Sequence, residues 1–392
     1  MDWTTKRSGT RSSGARIAKV RRQPRHQRVA GQIGLRAKQR RRIPAWGATS
    51  LAIVDKKVGF AVLGLGKIAE VAVLPAFRNC KKAKLEAVIS RDKKKAARFA
   101  RRFKAKTYYQ NDDFEACLKN PAVSAIFIAT PNGEHAEFTI RAANAGKHVL
   151  CEKPLAATAE QSSAMVEACR KNGVLLMTAY RKYFEPSALY LKQLVQKGDL
   201  GRIDMVHTAF SERYVPGATP QRWLVDVRLA GGGPLMDLGV YCVNTCRWIL
   251  EEDPWEVTAE SWLNDKSRFR EVEEGISFQM KFPSGTVLQG SSTYSSAPSS
   301  FVYVQGSKGW AMLTPAFPFD EERNLTGKIG GRPFSKKFRV IDEFAPEIEA
   351  FASAIQSKTG IAPDGIQGHR DMIIIRAIYE AAKTRGPTHI TY

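Results

Sequence analysis

The sequence predicts an α/β protein in which an N-terminal doubly wound parallel sheet is followed by an α+β domain with an open, mainly antiparallel sheet. Three observations lead there. Between Val58 and Tyr180, short apolar runs alternate with segments whose apolar residues recur at helical spacing. The first of these runs ends in a glycine turn, Gly64-Leu65-Gly66. After Tyr180, longer stretches alternate with period two, the pattern of antiparallel strands covered on one face. A chain of 392 residues has room for two such domains.

Residues 1–55 stand apart as a basic extension. Through residue 57 the chain carries sixteen Lys and Arg against two Asp, more than half of the net charge of +23. Apolar periodicity is absent, which is the composition of a disordered segment. Three readings stay open. The segment is a tail for nucleic acid or another polyanion, an export leader, or a non-native extension from a start site placed too far upstream. For export, Arg41-Arg42 precede an apolar stretch that is short and broken by Pro44, a poor twin-arginine match. Nucleic-acid binding is expected only through this extension. Elsewhere no apolar run approaches the roughly 20 residues of a membrane span, so the expectation is a cytoplasmic protein, with periplasmic export the lesser alternative. Six cysteines without a Cys-x-x-Cys pair or a histidine cluster read as buried thiols, and no metal site is expected.

In the first domain, residues 56–179, strands are expected near Val58–Leu63, Lys84–Ile89, Ala125–Ile128, His148–Cys151 and Val174–Thr178. Helices are expected near Lys67–Asn79, Asp92–Phe103, Asp112–Lys119, Glu134–Ala145 and Ala159–Asn172. In the second, residues 180–392, a helix over Pro186–Lys197 precedes strands near Ile203–Glu212, Trp255–Leu263, Gly275–Phe282, Thr286–Tyr294 and Phe301–Gln305. Two helices, Pro346–Ser357 and Ile366–Thr384, close the chain.

Gly64-x-Gly66-x-x-Ala69 after a buried strand is the fingerprint of a Rossmann turn. Gly64 permits the bend, Gly66 lets a pyrophosphate approach the backbone, and Ala69 lets the helix pack close. Free N–H groups at the helix start attract an anion, which places Lys67 and Ile68 at the cofactor. A tight turn without ligand gives the same short pattern. The end of the second strand is more informative. An NAD site carries Asp or Glu there for the ribose hydroxyl, whereas this chain has Ser90-Arg91-Asp92-Lys93-Lys94-Lys95. Cations at a helix start oppose the helix dipole, which makes sense if the adenosine 2′-phosphate of NADP sits among Ser90, Arg91 and Lys95. Two further motifs, Thr130-Pro131-Asn132 with His135, and Glu152-Lys153-Pro154, follow strands and therefore reach the ligand crevice.

These motifs in this order, with Ala179-Tyr180-Arg181 and Gly231-Gly232-Gly233-Pro234-Leu235-Met236-Asp237-Leu238-Gly239-Val240-Tyr241, resemble the Gfo/Idh/MocA oxidoreductases, and within them the glucose-fructose oxidoreductase branch. The resemblance spans about residues 56 to 386. It implies hydride exchange between a nicotinamide, NADP before NAD, and the anomeric carbon of an aldose or the carbonyl of a ketose. It implies catalysis by Lys153, Asp237 and Tyr241, and a cis bond between Lys153 and Pro154. It also implies cofactor contacts from the residues above together with Glu152, Lys153, Arg181 and Trp223, and a homodimer or homotetramer built through the C-terminal sheet. Tyr241 stands where many relatives have histidine. Leu224 replaces an arginine often found after the tryptophan, and Arg222 precedes it instead.

The residues agree with that chemistry. Asp237 and Tyr241, four apart, share one helix face. A phenol of ordinary pKa about 10 is a poor base at neutral pH, and the Lys153 ammonium would lower it. Ser211-Glu212-Arg213-Tyr214 and Phe317–Phe319 are expected to face substrate. Two alternatives stay open: a sugar or polyol dehydrogenase whose cofactor dissociates, and a non-catalytic sugar- or nucleotide-sensing regulator on the same scaffold.

Overall fold

The computed structural model describes residues 57–215 and 221–392; the basic extension lies outside them. Strands β1 (Val58–Leu63), β2 (Ala83–Ile89), β3 (Thr107–Tyr109), β4 (Ala125–Ile128), β5 (His148–Glu152) and β6 (Leu176–Ala179) form one sheet in the order β3-β2-β1-β4-β5-β6. Every pairing in it is parallel. All six residues of β1 are buried, because helices cover both faces. That is why the strands read as unbroken apolar runs. Strand order reverses between β1 and β4, and the crevice for a ligand opens there, at the carboxyl ends.

Two local features depart from the expected elements. Strand β3 was not legible: its Thr-Tyr-Tyr sequence has no apolar run and only pairs along the sheet edge. The helix expected over Lys67–Asn79 begins at Lys67 but changes pitch, from a π-helical turn (Ala69–Val73) through an α turn (Leu74–Ala76) to a 3₁₀ turn (Phe77–Asn79). Pro75, which has no N–H to donate, sits where the pitch changes.

The second sheet contains β7 (Ile203–Ser211), β8 (Glu256–Trp262), β9 (Gly275–Lys281), β10 (Val287–Thr293), β11 (Ser299–Gly306), β12 (Gly309–Thr314), β13 (Arg323–Ile329), β14 (Arg332–Phe338) and β15 (Thr388–His389). Their order is β14-β13-β12-β11-β7-β10-β9-β8-β15. Only the central β10–β7 pair is parallel. Helices Pro186–Gln196, Val240–Leu250 and Gly365–Thr384 share its core through residues such as Leu191, Val243 and Ile374, packed with Phe278 and Leu288 of the strands. Strands β12 to β15 were not anticipated. The sequence of β14, Arg-Pro-Phe-Ser-Lys-Lys-Phe, is almost wholly exposed, and its place comes from pairing with β13.

Helix Phe344–Ser357 follows the second sheet in sequence but packs on the first. Phe351 meets Phe60 of β1 at 6.2 Å between ring centres. Glu349 Oε1 accepts the backbone N–H groups of Lys82 (2.7 Å) and Ala83 (3.1 Å). At the start of this helix, Glu343 joins both sheets through a buried ionic cluster. Its carboxylate accepts from Arg181 Nη1 at 2.5 Å, just after β6, and from Arg323, at the head of β13. Lys182 Nζ lies 3.4 Å from Glu185 and 3.7 Å from Glu343. Burial pulls the Lys182 ammonium down to about 8, against the attraction of Glu343 and Glu185.

All six cysteines are buried and unpaired. Among the described residues, no helix is long and apolar enough to cross a membrane, and no three His, Cys, Asp or Glu side chains group to hold a metal. Because Glu343 answers three buried cations, Glu343→Gln should lower stability by about 3–5 kcal/mol, the usual cost of breaking a buried ionic cluster. Urea unfolding would show it as a lower midpoint, and a loss under about 1 kcal/mol would contradict the assignment.

Candidate active site and cofactor cleft

A cleft of about 1080 Å³ runs from the carboxyl ends of the first sheet to the rim of the second. Of the residues singled out from sequence, Gly64, Gly66, Lys67, Ile68, Ser90, Arg91, Lys95, Thr130, Pro131, Asn132, Glu152, Lys153, Arg181, Trp223, Asp237 and Tyr241 all line it. The fold therefore gathers one continuous wall from motifs spread across the chain.

The glycine turn has two different constraints. Gly64 has φ +93°, and a Cβ there would come 2.4 Å from the Ala129 carbonyl oxygen. At Gly66 a Cβ would meet nothing within 4 Å, so the backbone lies open to the cleft. At the far end, Asp92 caps helix Lys93–Phe103 by accepting the Lys95 N–H at 3.0 Å, and Ser90 Oγ accepts the Asp92 N–H at 3.2 Å. Arg91 extends into solvent with its guanidinium 3.7 Å from Glu134. Burial holds the Glu134 carboxyl above its ordinary range, with Arg91 opposing. Glu134 and Asn111, both in this wall, were not anticipated.

Lys153 directly follows β5 and precedes a cis proline, as expected. Its Nζ donates to the backbone oxygen of Asp237 at 2.8 Å and to Asp237 Oδ1 at 2.9 Å. The other carboxylate oxygen, Oδ2, accepts from Tyr294 Oη at 3.1 Å. The ammonium lies 4.7 Å from the Tyr241 ring centre, and the Arg181 guanidinium lies 5.1 Å from the same centre. Burial works against the Lys153 charge, but Asp237, Tyr241 and Glu152 outweigh it and keep its pKa above the ordinary lysine value. Burial pushes Glu152 up to about 6, against Lys153 and Arg181.

The turn that presents Asp237 is held from behind. Glu273 accepts the N–H groups of Gly233 (2.9 Å) and Leu235 (3.1 Å) and the hydroxyl of Tyr379 (2.9 Å). A Cβ on Gly232 would sit 2.0 Å from that hydroxyl, so the triple glycine fits against Tyr379. Neither Glu273 nor Tyr294 carries a sequence signal, since each reads as an ordinary strand-flanking residue.

Some expectations are corrected. His135 does not reach the cleft. It is fully buried, with Nε2 2.9 Å from the Thr130 carbonyl oxygen and Nδ1 3.1 Å and 3.3 Å from those of Pro154 and Leu155. Burial lowers its pKa, with these carbonyls opposing. It fastens two cleft loops to each other. Ser211, Glu212 and Phe319 do face the cleft, but Arg213, Tyr214 and Phe317 are absent from its wall. Phe317 packs beneath Tyr241, 5.7 Å between ring centres.

Comparison with known proteins agrees with this architecture. Residues 58–180 match the model of an oxidoreductase family with an NAD-binding Rossmann fold, and residues 188–312 match the GFO/IDH/MocA C-terminal domain. The chain belongs to the Gfo/Idh/MocA family. It is 31% identical to a D-xylose 1-dehydrogenase [NADP(+)] of Haloarcula marismortui over 86% of this chain and 94% of that one. A D-xylose 1-dehydrogenase (NADP(+)) 2 of Haloferax volcanii is 33% identical over 83% of this chain and 97% of that one. Among solved structures, an aldose-aldose oxidoreductase from Caulobacter crescentus, complexed with glycerol, superposes with a TM-score of 0.81 at 33% identity. That match covers 86% of this chain and all of the other.

As a Gfo/Idh/MocA oxidoreductase, the protein needs room for a dinucleotide, and its cleft fits one. The backbone at Gly66 is open. Three buried polar atoms of the wall, Asn111 Oδ1, Thr130 Oγ1 and Glu134 Oε2, have no partner among the described residues. Buried polar atoms are costly to leave unpaired, and ribose and phosphate groups supply such partners. Glu152 is ionised only above about pH 6. If its charge supports Lys153, kcat/KM should fall as pH drops through about 6, and Glu152→Gln should lack this limb in a pH–rate profile. An unchanged limb in the variant would assign it to another group.

Proposed function

We propose that the protein is an NADP(H)-dependent aldose oxidoreductase. It oxidises the anomeric carbon to a lactone, or runs the reverse half-reaction on a ketose carbonyl. The observation that carries this reading is the placement of Lys153, Asp237 and Tyr241 at the inner end of a cleft whose outer end carries Ser90, Arg91 and Lys95. The NADP named for both xylose dehydrogenases supports the choice of cofactor.

When bound, the nicotinamide supplies the hydride acceptor or donor. The protein handles the proton. Tyr241 takes it from the sugar hydroxyl as the carbon is oxidised, and returns it in the reverse direction. Lys153 stabilises the negative charge that develops on the phenol and the sugar oxygen. Asp237, fixed between Lys153 and Tyr294, holds the ammonium in place. Arg181 supports the phenol from below, while its own donors are held by Glu343 and the Phe317 carbonyl. A regulator would not need this set, so the enzyme is the stronger reading. Residues 56–179 then act as the cofactor domain and residues 180–392 as the substrate domain. The uncovered polar face of the second sheet, with His207, Glu260 and Gln279, is the surface we assign to a homo-oligomer.

Absorbance of the purified protein for bound nicotinamide, followed by an aldose screen with NADP and NAD, tests the reading directly. Arg91→Asp should weaken NADP far more than NAD, since charge-assisted contacts to phosphate are the strong kind. Equal affinity of the unaltered protein for both cofactors, by titration, would remove that assignment. Tyr241→Phe should lower kcat by about 10²–10⁴-fold with NADP affinity nearly unchanged. Lys153→Ala should cost at least as much, and the double variant less than the product of the two. Near-normal turnover of Tyr241→Phe would make the tyrosine a packing residue, and partial activity of Tyr241→His would support proton transfer.

A further inference from the structure

Charge is unevenly spread along the cleft: the first-sheet side mixes cations with Asp92 and Glu134, and the second-sheet side carries carboxylates. On the first-sheet side, Lys67, Arg91 and Lys95 face the space assigned to the phosphates. On the second-sheet side, Glu212 at the end of β7 and Asp320 and Glu321 in the loop before β13 line the wall. The two lining cations nearest the proposed chemistry are already answered. Lys153 is bound to Asp237, and Arg181 to Glu343. Among the described residues, the side chains of Glu212, Asp320 and Glu321 have no hydrogen-bond or ion-pair partner. Burial and the Asp237 carboxylate hold the Glu212 carboxyl above its ordinary range, with Lys153 and Lys67 opposing and Asp320 adding to the rise. Glu212, Asp237 and Asp320 therefore act on one shared space.

We propose that Glu212 and Asp320 are specificity-determining residues that make the substrate end take uncharged or cationic sugars and reject anionic ones. The accepted class is free aldoses and amino sugars. The rejected class is sugar phosphates, uronates and nucleotide sugars. The inference rests on the sugar-oxidoreductase reading above and adds the charge of the substrate. Carboxylates accept hydrogen bonds from sugar hydroxyls at any of their lone pairs, so an uncharged polyol gains contacts there. An anionic substituent gains none and meets like charge from carboxylates that stay solvent-exposed in the cleft wall, a repulsion that falls with distance and with salt. Discrimination then comes from repulsion of the wrong ligand as much as from contacts to the right one.

The test compares kcat/KM at saturating NADP for glucose, glucosamine, glucose 6-phosphate and glucuronate. It uses the full chain, Glu212→Gln, Asp320→Asn and the double variant. In the unaltered protein the two anionic sugars should lie about tenfold or more below glucose, and glucosamine should not. Raising the salt concentration should narrow the gap, because added ions screen partly exposed charges. In the double variant the anionic sugars should gain on glucose by about fivefold or more, and glucosamine should lose ground. Asp320→Asn, an exposed loop change, should show part of the same shift if Glu212→Gln fails to fold. Anionic sugars turned over as well as glucose, or a ratio unmoved by salt and by both substitutions, would overturn the inference while leaving the aldose reading intact. Failure of every aldose with the unaltered protein would overturn both.

Discussion

An ammonium removed from water needs an anion, and Lys153 finds one across the boundary between the two sheets. The strand before it, β5, delivers it at the carboxyl end of the parallel sheet. Asp237, on the turn before helix Val240–Leu250, meets it with one carboxylate oxygen and one backbone oxygen. The attraction holds the lysine charged despite its burial. Much of the site answers to this pair. Tyr294 takes the remaining carboxylate oxygen, Glu273 and Tyr379 fix the glycine turn behind it, and Tyr241, four residues on, holds its ring centre 4.7 Å from the ammonium. A carboxylate held from two sides has little freedom to swing, so the distance from Lys153 to Tyr241 is set by the scaffold.

A second set of buried charges lies one layer deeper. Glu343 neutralises Arg181 and Arg323 and draws in Lys182. Replacing such a cluster with apolar residues is often neutral or stabilising, so stability alone does not account for it. Its position does: Arg181 lies against the Tyr241 ring, and its remaining donors are committed to Glu343 and Phe317. The cluster fixes a positive charge under the phenol at a set distance.

The fold was largely legible because its strongest determinants are local. Buried strands such as β1 and β4 announce themselves as apolar runs between helical spacings, and the glycine turn carries its own steric reason. The motifs at strand ends led to the cleft wall because a doubly wound sheet puts those ends together. What escaped was set by pairing or by distant partners. β14 is a strand because β13 offers it hydrogen bonds, not because its residues favour one face. His135 lies in a recognisable motif, yet the sequence gives no sign that three carbonyls surround its ring. Tyr294 and Glu273 act through contacts 57 and 40 positions away in the chain, a separation that no local pattern encodes.

The return of helix Phe344–Ser357 to the first sheet bears on how the molecule is made. Phe351, Ile348 and Ala345 complete the apolar cluster around Phe60 and Val62, and Glu349 satisfies backbone groups at the head of β2. As the chain emerges from the ribosome, the parallel sheet has all six strands once Ala179 has appeared, but the part of one face that helix Phe344–Ser357 covers stays open until Ser357 follows. The nucleotide-binding half is thus unfinished through synthesis of nearly the whole second sheet. A fragment ending after β6 would present that open apolar part to its neighbours.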